Sequence, residues 1–416
     1  MQNIPVMKGI AGIFFSLFLF LSINSVFGAD GDLLWEKVYD GGFNDESWSI
    51  AIDSQNNIIV AGYSHNGSNQ DYHIIKYGPN GNVIWEKKYD SGRSDFAQGV
   101  ATDSLNNIIV TGRINNGRDN DYCTIKYGPN GNFLWERIHD GGRNDIAQGV
   151  ATDSLNNIIV TGYSNNGRNE DYYTIKYDPS GNILWGIPYD TERPEIPSRV
   201  TTDSMNNIIV IGYLYSINRN QDYLTIKYDP SGNILWEKIY DSGRNEVPFD
   251  VATDLQNNVI VTGYSHNGST QDYYTIKYGP TGIILWEKRY DTGRNEVSQG
   301  VSTDLYNNII ITGYTNNEKN KDCLTIKYDS NGNIVWEKNH DSGRGDLGWG
   351  VATDTLNNIV VTGFFSNGSN VDYFTIKYEG IPPANLNLKR DLPMREIMSI
   401  INYPGKPVGA YILEDD

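Results

Sequence analysis

The chain is poor in the residues that most often carry chemistry. Its 416 residues include two cysteines, five histidines and five methionines. Two cysteines exclude a disulfide framework. Cys123 ("DYCTIKY") and Cys323 ("DCLTIKY") fall one position apart when those phrases are aligned. On a strand they face opposite ways, so two free thiols are expected. His65 and His266 are equivalent loop positions, His139 and His340 precede a recurrent Asp, and His73 stands alone. None has metal-ligand spacing, no nucleophile motif appears, and neither metal nor cofactor is expected. Basic residues are also short, 33 against 51 acidic ones, for a net charge of −18. With no basic run, nucleic acid and anionic membrane surfaces are disfavoured as partners.

Helical periodicity is absent before residue 390. Long apolar runs are absent too, apart from "GIAGIFFSLFLFLSI" at 9–23, which is short for a bilayer span. Lys8 precedes that run and "VFGAD" follows it, so 1–29 reads as a secretory signal cleaved near Gly28 or Ala29. An uncleaved anchor is the alternative. No Cys follows the run, so a lipid anchor is not indicated, and no membrane insertion is expected after cleavage. The expected location is secreted: extracellular, periplasmic or at the cell surface.

What the sequence has in abundance is itself. Trp35, Trp85, Trp135, Trp185, Trp236, Trp286 and Trp336 recur at spacings of 50 or 51 residues. "TDSLNNIIVTG" or a close variant recurs with Asp53, Asp103, Asp153, Asp203, Asp254, Asp304 and Asp354. One period reads as four strands. In 146–190, "IAQGVATD" is strand a, "IIVTGYS" strand b, "DYYTIKY" strand c and "ILWGIPY" strand d, separated by "SLNN", "NNGRNE" and "DPSGN". These connections hold the Asn, Gly and Pro that turns require. Four short strands per period, seven times over, predict an all-β, seven-bladed propeller of four-stranded antiparallel blades over 30–379. A solenoid is the alternative, but it needs capping repeats that are not visible. The first strand d, 32–39, has no a, b or c before it, and the last repeat ends after strand c, 372–378. Pairing 32–39 with 372–378 closes the ring. Residues 380–416 read as a linker and tail, with Met394, Ile397, Met398 and Ile401 on one face of a short helix.

The phrases "DYLTIKYDPSGNILWEKIYDSG" (222–243) and "ATDSLNNIIVTGYS" (151–164) resemble the SBBP-type β-propeller repeat of secreted bacterial and archaeal proteins. The resemblance covers about 31–379. It implies a seven-bladed propeller in the cell envelope or outside the cell, and little about activity. The quinoprotein propeller motif and the sialidase Asp-box come close, but "DPSGNILW" (Asp178 to Trp185) differs from both in spacing. Fold does not confer their reactions in any case.

A residue present in every blade is most simply structural. The Trp of strand d is expected to pack between blades. The recurrent Lys76, Lys126, Lys176, Lys227, Lys277, Lys327 and Lys377 are expected to meet a recurrent carboxylate. Turns such as "DSNGN", Asp329 to Asn333, have some calcium-loop chemistry, but the Gly is misplaced and no distal Glu follows. Strands alternate in direction, so a–b and c–d turns share one face of the ring and the longer b–c and d–a loops share the other, where binding residues usually sit. On that loop face Arg93, Arg143, Arg193, Arg244, Arg294 and Arg344 recur, each two residues before an acid (Asp95, Asp145, Glu195, Glu246, Glu296 or Asp346). Ion pairing is the plain expectation. An anion-binding ring, or cations between the carboxylates, is the functional one. Blade 1 has Phe43 in place of the Arg.

Symmetry breaking says more. At the mouth end of strand a, one position per blade reads Trp48, Gln98, Gln148, Ser198, Phe249, Gln299 and Trp349. Ring closure makes the two tryptophans neighbours, and paired aromatics beside Gln amides suit a sugar; covering the seam is the structural alternative. The fourth repeat also departs, with extra prolines, Arg199, and Tyr213, Leu214 and Tyr215. The reading reached from sequence is a monomeric, non-catalytic binding or scaffold propeller that takes a glycan or an envelope protein on its loop face. The alternatives are a polysaccharide lyase or hydrolase using mouth carboxylates such as Asp250 and Glu246, and a purely structural repeat protein. Enzyme activity is left open, leaning against.

Overall fold

The computed structural model describes residues 29–381. The signal expected over 1–29, Ala29 apart, and the tail helix expected within 380–416 lie outside the described residues. Within them the chain forms 28 strands in seven four-stranded antiparallel sheets, with no helix. Blade 1 shows the pattern. Strand a is β2 (Asp45–Ile52), b is β3 (Ile58–His65), c is β4 (Gln70–Tyr77) and d is β5 (Val83–Tyr89). Blades 2 to 6 repeat this order, and blade 7 supplies its strand d from the other end of the chain. There β1 (Leu33–Tyr39) pairs antiparallel with β28 (Val371–Tyr378), Trp35 opposite Lys377 and Tyr39 opposite Tyr373. The seam also rebuilds the missing c–d turn. Glu379 N donates to Asp32 O at 2.7 Å and Gly31 N to Glu379 O at 2.8 Å, as Gly78 and Gly81 do within blade 1.

The a strands of neighbouring blades pack side by side around the axis, and d lies outermost. Strands b and c are buried on both faces, as their near-continuous apolar runs require. The core is therefore seven separate layers between blades. At the seam, Val360 and Tyr373 of blade 7 pack on Ile58, Val60, Ile75 and Tyr77 of blade 1, with Trp35 beside them. The strand-d Trp does bridge blades. Trp85 packs on the blade 1–2 layer and its Nε1 donates to Pro129 O of blade 2 at 3.0 Å.

The Gly of "VTG" has a spatial cause. A Cβ on Gly162 would collide with the Ile146 carbonyl and sit 2.6 Å from the Tyr122 hydroxyl of the preceding blade. The absent side chain is the socket into which that Tyr inserts. Every expected Lys–Asp pair forms, with Lys76–Asp53 at 2.9 Å and Lys227–Asp203 at 2.8 Å among the seven. At the seam, Lys327 also meets Asp30, at 3.1 Å. Cys123 and Cys323 are buried and free.

Candidate functional site

Strand a carries a β-bulge in every blade, and the bulge falls on the mouth position. In blade 3 the register with strand b shifts between Ala147 and Gly149, which leaves Gln148 unpaired. The same shift isolates Trp48, Gln98, Ser198, Phe249, Gln299 and Trp349. A bulge re-aims one side chain without ending the strand. The seven residues singled out by symmetry breaking are thus seven copies of one irregular backbone position.

Trp48 and Trp349 meet across the seam, ring centroids 6.3 Å apart and tilted by 31°. The wall continues into blade 2, where Phe96 stacks on Trp48 at 5.8 Å with planes 7° apart. Tyr63 stands edge-on to both, and Phe364 lies 5.7 Å from Trp349. Glu46 holds this wall in place: it accepts from Trp48 Nε1 at 3.0 Å and from the Tyr63 hydroxyl at 2.7 Å. Burial, and then that bond, push the Tyr63 phenol above its ordinary range. Arg113 caps the far end, its guanidinium 4.3 Å from the centre of the Phe96 ring, and its buried Nε has no partner. Gln98 and Gln148 are half-buried, whereas Gln299 is buried. Phe249 stands apart with Tyr264, 6.1 Å away.

Arg199 reaches across the mouth. From blade 4 its Nη1 donates to Gln148 O at 2.9 Å in blade 3, and its Nη2 to Trp48 O at 3.2 Å in blade 1. The two carboxylates of the enzyme alternative do not form a pair. Asp250 accepts from the backbone N–H of Val251 and Val301, at 2.9 and 2.8 Å, and burial pushes its pKa up to about 6 against the pull of Arg199. Glu246 is fully buried at the start of its strand and accepts from Ser242.

The expected Arg–acid pairing is corrected. Arg93, Arg143, Arg244, Arg294 and Arg344 are exposed, and none joins an ion pair among the described residues. The acid two residues on opens strand a and turns inward: Asp95 is fully buried and accepts from Ser91 N at 2.7 Å. The Arg instead lies over the b–c loop of its blade. A Cβ on Gly117, at φ +98°, would come within 3.1 Å of the Arg93 guanidinium, and Phe43 covers Gly67 in the same way. Phe96 and Arg113 escaped the sequence reading. Their signal was there: Arg113 stands where other blades have Tyr or Phe after the "VTG" glycine.

No known protein-family profile matches the chain, and no curated protein matches it. Solved structures do. The WD40 domain of Neurospora crassa Pan2 matches with a TM-score of 0.54 at 10% identity, covering 83% of this chain and 95% of that one. Chaetomium thermophilum Sqt1, bound to the N-terminus of the ribosomal protein L10, matches with a TM-score of 0.50 at 11% identity, covering 80% and 86%. Likeness at this level shows the propeller fold. It also corrects the expected location. The propellers sharing this fold include that Pan2 domain and an Sqt1 bound to a ribosomal protein, so the fold does not place the chain in the envelope or outside the cell.

Proposed function

We propose that this chain is a non-catalytic binding propeller with repeats of the SBBP type, and that it takes a glycan against the aromatic wall at its channel mouth. One observation carries the reading. Three rings from three successive blades, Trp349, Trp48 and Phe96, form one half-exposed wall whose tryptophans stand on re-aimed bulge positions. Flat rings stack on sugar faces, and Gln98 and Gln148, on the same bulge position in blades 2 and 3, offer amides for hydrogen bonds. The enzyme alternative is less well supported, because Asp250 is held by two backbone N–H groups and Glu246 by its own turn.

The test is a titration of tryptophan emission with a panel of soluble oligosaccharides. At least one sugar is expected to change the emission of the wild type, with the response weakened at least tenfold in Trp48→Ala and Trp349→Ala. Silence across the panel would overturn the glycan reading. An immobilised peptide library provides a second arm, because Sqt1 was solved with a protein N-terminus. Peptide capture abolished by the same substitutions would replace the sugar by a polypeptide on the same wall.

A further inference from the structure

The heads of the blades, on the loop face, hold a second kind of site. Three carboxylates meet there: one ends strand d, one opens the next strand a, and one opens the adjoining strand c. Asp71, Asp90 and Asp95 form such a group, as do Asp121, Asp140 and Asp145; Asp171, Asp190 and Glu195; Asp222, Asp241 and Glu246; and Asp40, Asp45 and Asp372 across the seam. In each, one oxygen per residue lies within 4.8 Å of the others. Two oxygens bound to one calcium ion at about 2.4 Å lie at most ~4.8 Å apart, so no pair within a set is too distant to share one ion.

Proximity of acids alone shows nothing, but two further observations point to a ligand. The first is a set of orphaned oxygens. Asp45, Asp121, Asp145, Asp222 and Asp372 are nearly or fully buried, and each has a carboxylate oxygen with neither a hydrogen-bond partner nor solvent. Every orphaned carboxylate oxygen among the described residues belongs to a strand-opening acid of this kind. A buried, unpaired anion of this sort is costly to keep. The second is a substitution that the protein makes for itself. In blade 5, Arg289 on strand d bonds Asp272 Oδ2 at 2.6 Å and Ser265 Oγ at 3.0 Å. Asp272 then has both oxygens satisfied, the other by Thr270 and Asn267. Where the guanidinium reaches the strand-c acid, the orphan disappears; in blade 1 the equivalent Lys88 stops at Ser64 Oγ, 3.0 Å away, and Asp71 keeps its orphaned oxygen. The equivalent residues Val38, Ile138, Pro188 and Ile239 carry no charge.

We propose that the acidic triads of blades 2, 3, 4 and 7 are calcium sites, and that Arg289 stands in for the ion in blade 5. The donor set is all oxygen, with no imidazole or thiolate, which disfavours zinc. Two of the three carboxylates are buried, which favours an ion that sheds its water readily; magnesium keeps several waters and demands a stricter octahedron. The site is separate from the aromatic wall, so it stands or falls independently of the glycan reading.

The experiment uses the full chain stripped with a chelator. Calcium chloride is titrated in by calorimetry, and thermal unfolding is followed with calcium or magnesium at equal ionic strength. At least four calcium ions per chain are expected, with a clear rise in Tm that magnesium does not reproduce. No heat and no Tm shift up to about 10 mM, above the weakest protein calcium sites at ~1 mM, would overturn the proposal. Equal effects of the two cations would also overturn it, by assigning the shift to screening. Ile239→Arg copies the blade 5 arrangement at an exposed position. It is expected to fold, to be at least as stable as the wild type in chelator, and to bind one ion fewer. Unchanged stoichiometry in that variant would remove the site from the triads.

Discussion

Asp203 and Asp222 belong to the same blade and are equally buried, at 4% and 3% exposure. Asp203, on the turn face, accepts from the N–H of Met205 and Asn207, from the Asn207 amide, and from Lys227. Asp222, on the loop face, has an oxygen that meets nothing, and Asp241 and Glu246 push its pKa up, after burial, to about 7. The contrast runs round the ring. The acids of the a–b turns carry their own lysine, and each of those turns is tied to the next blade through an Asn in the left-handed region, as Asn106 Oδ1 accepts from Ser54 N at 3.0 Å. Loop-face acids are gathered and left short. The sequence of each repeat is equally regular on both faces, so regularity alone does not mark a self-sufficient structure. What separates the faces is whether the charges close among themselves.

The largest expected effect breaks the closed face. Lys227→Met leaves Asp203 buried without its cation and should cost about 3–5 kcal/mol in urea unfolding. A loss below about 1 kcal/mol would mean that the turn hydrogen bonds alone support the carboxylate. The next sharpens the contrast by sign. In chelator, Asp203→Asn should lower the unfolding midpoint, because Lys227 loses its anion, whereas Asp222→Asn should raise it, because a repelled charge is removed. Two shifts of the same sign would erase the distinction between the faces.

The contrast should also appear as a pH slope. Burial, then neighbouring acids, raise Glu195 and Asp222 to about 7 and Asp171 to about 6. A native pKa above the unfolded value means that the folded state binds the proton more tightly. That stability is fully present below about pH 4 and is lost as pH rises through about 6 to 7. In chelator, Tm should therefore fall from about pH 5 to about pH 8, and the fall should be shallower in a variant carrying Asp171→Asn, Glu195→Gln and Asp222→Asn. Identical slopes would show that these groups do not titrate as a raised set.

How much of this the sequence displays depends on whether the interacting residues share a repeat phrase. The blade order, the seam strand, the strand-d Trp and the Lys–Asp pairs follow from period and alternation. The mouth position was legible as broken symmetry, but its bulge was not, because a register shift exists only once strand a pairs with strand b. Arg93 and Asp95 misled for a local reason: two residues separate a loop side chain that turns out from a strand side chain that turns in. The triads were hidden because Asp71 and Asp95 are adjacent only after the c–d hairpin folds back. Phe96 and Arg113 were visible letter by letter, but nothing in either phrase says that they stack.

The smallest expected effect tests the surface of the open face. Arg93 is exposed, joins no ion pair among the described residues, and lies over Gly117 in the adjoining loop. Arg93→Ala should therefore change stability by no more than about 0.5 kcal/mol, as for a surface side chain away from buried charge. Gly117→Ala should cost more, on the order of 1 kcal/mol, since φ is +98° there and an added Cβ meets the guanidinium. Urea midpoints of both variants, with and without calcium, make the comparison. If Arg93→Ala alone cost above about 1 kcal/mol in chelator, the arginine ring would be holding the acidic loops together. The loop face would then be closing its charges through solvent-exposed arginines, a weaker version of what Lys227 does on the turn face.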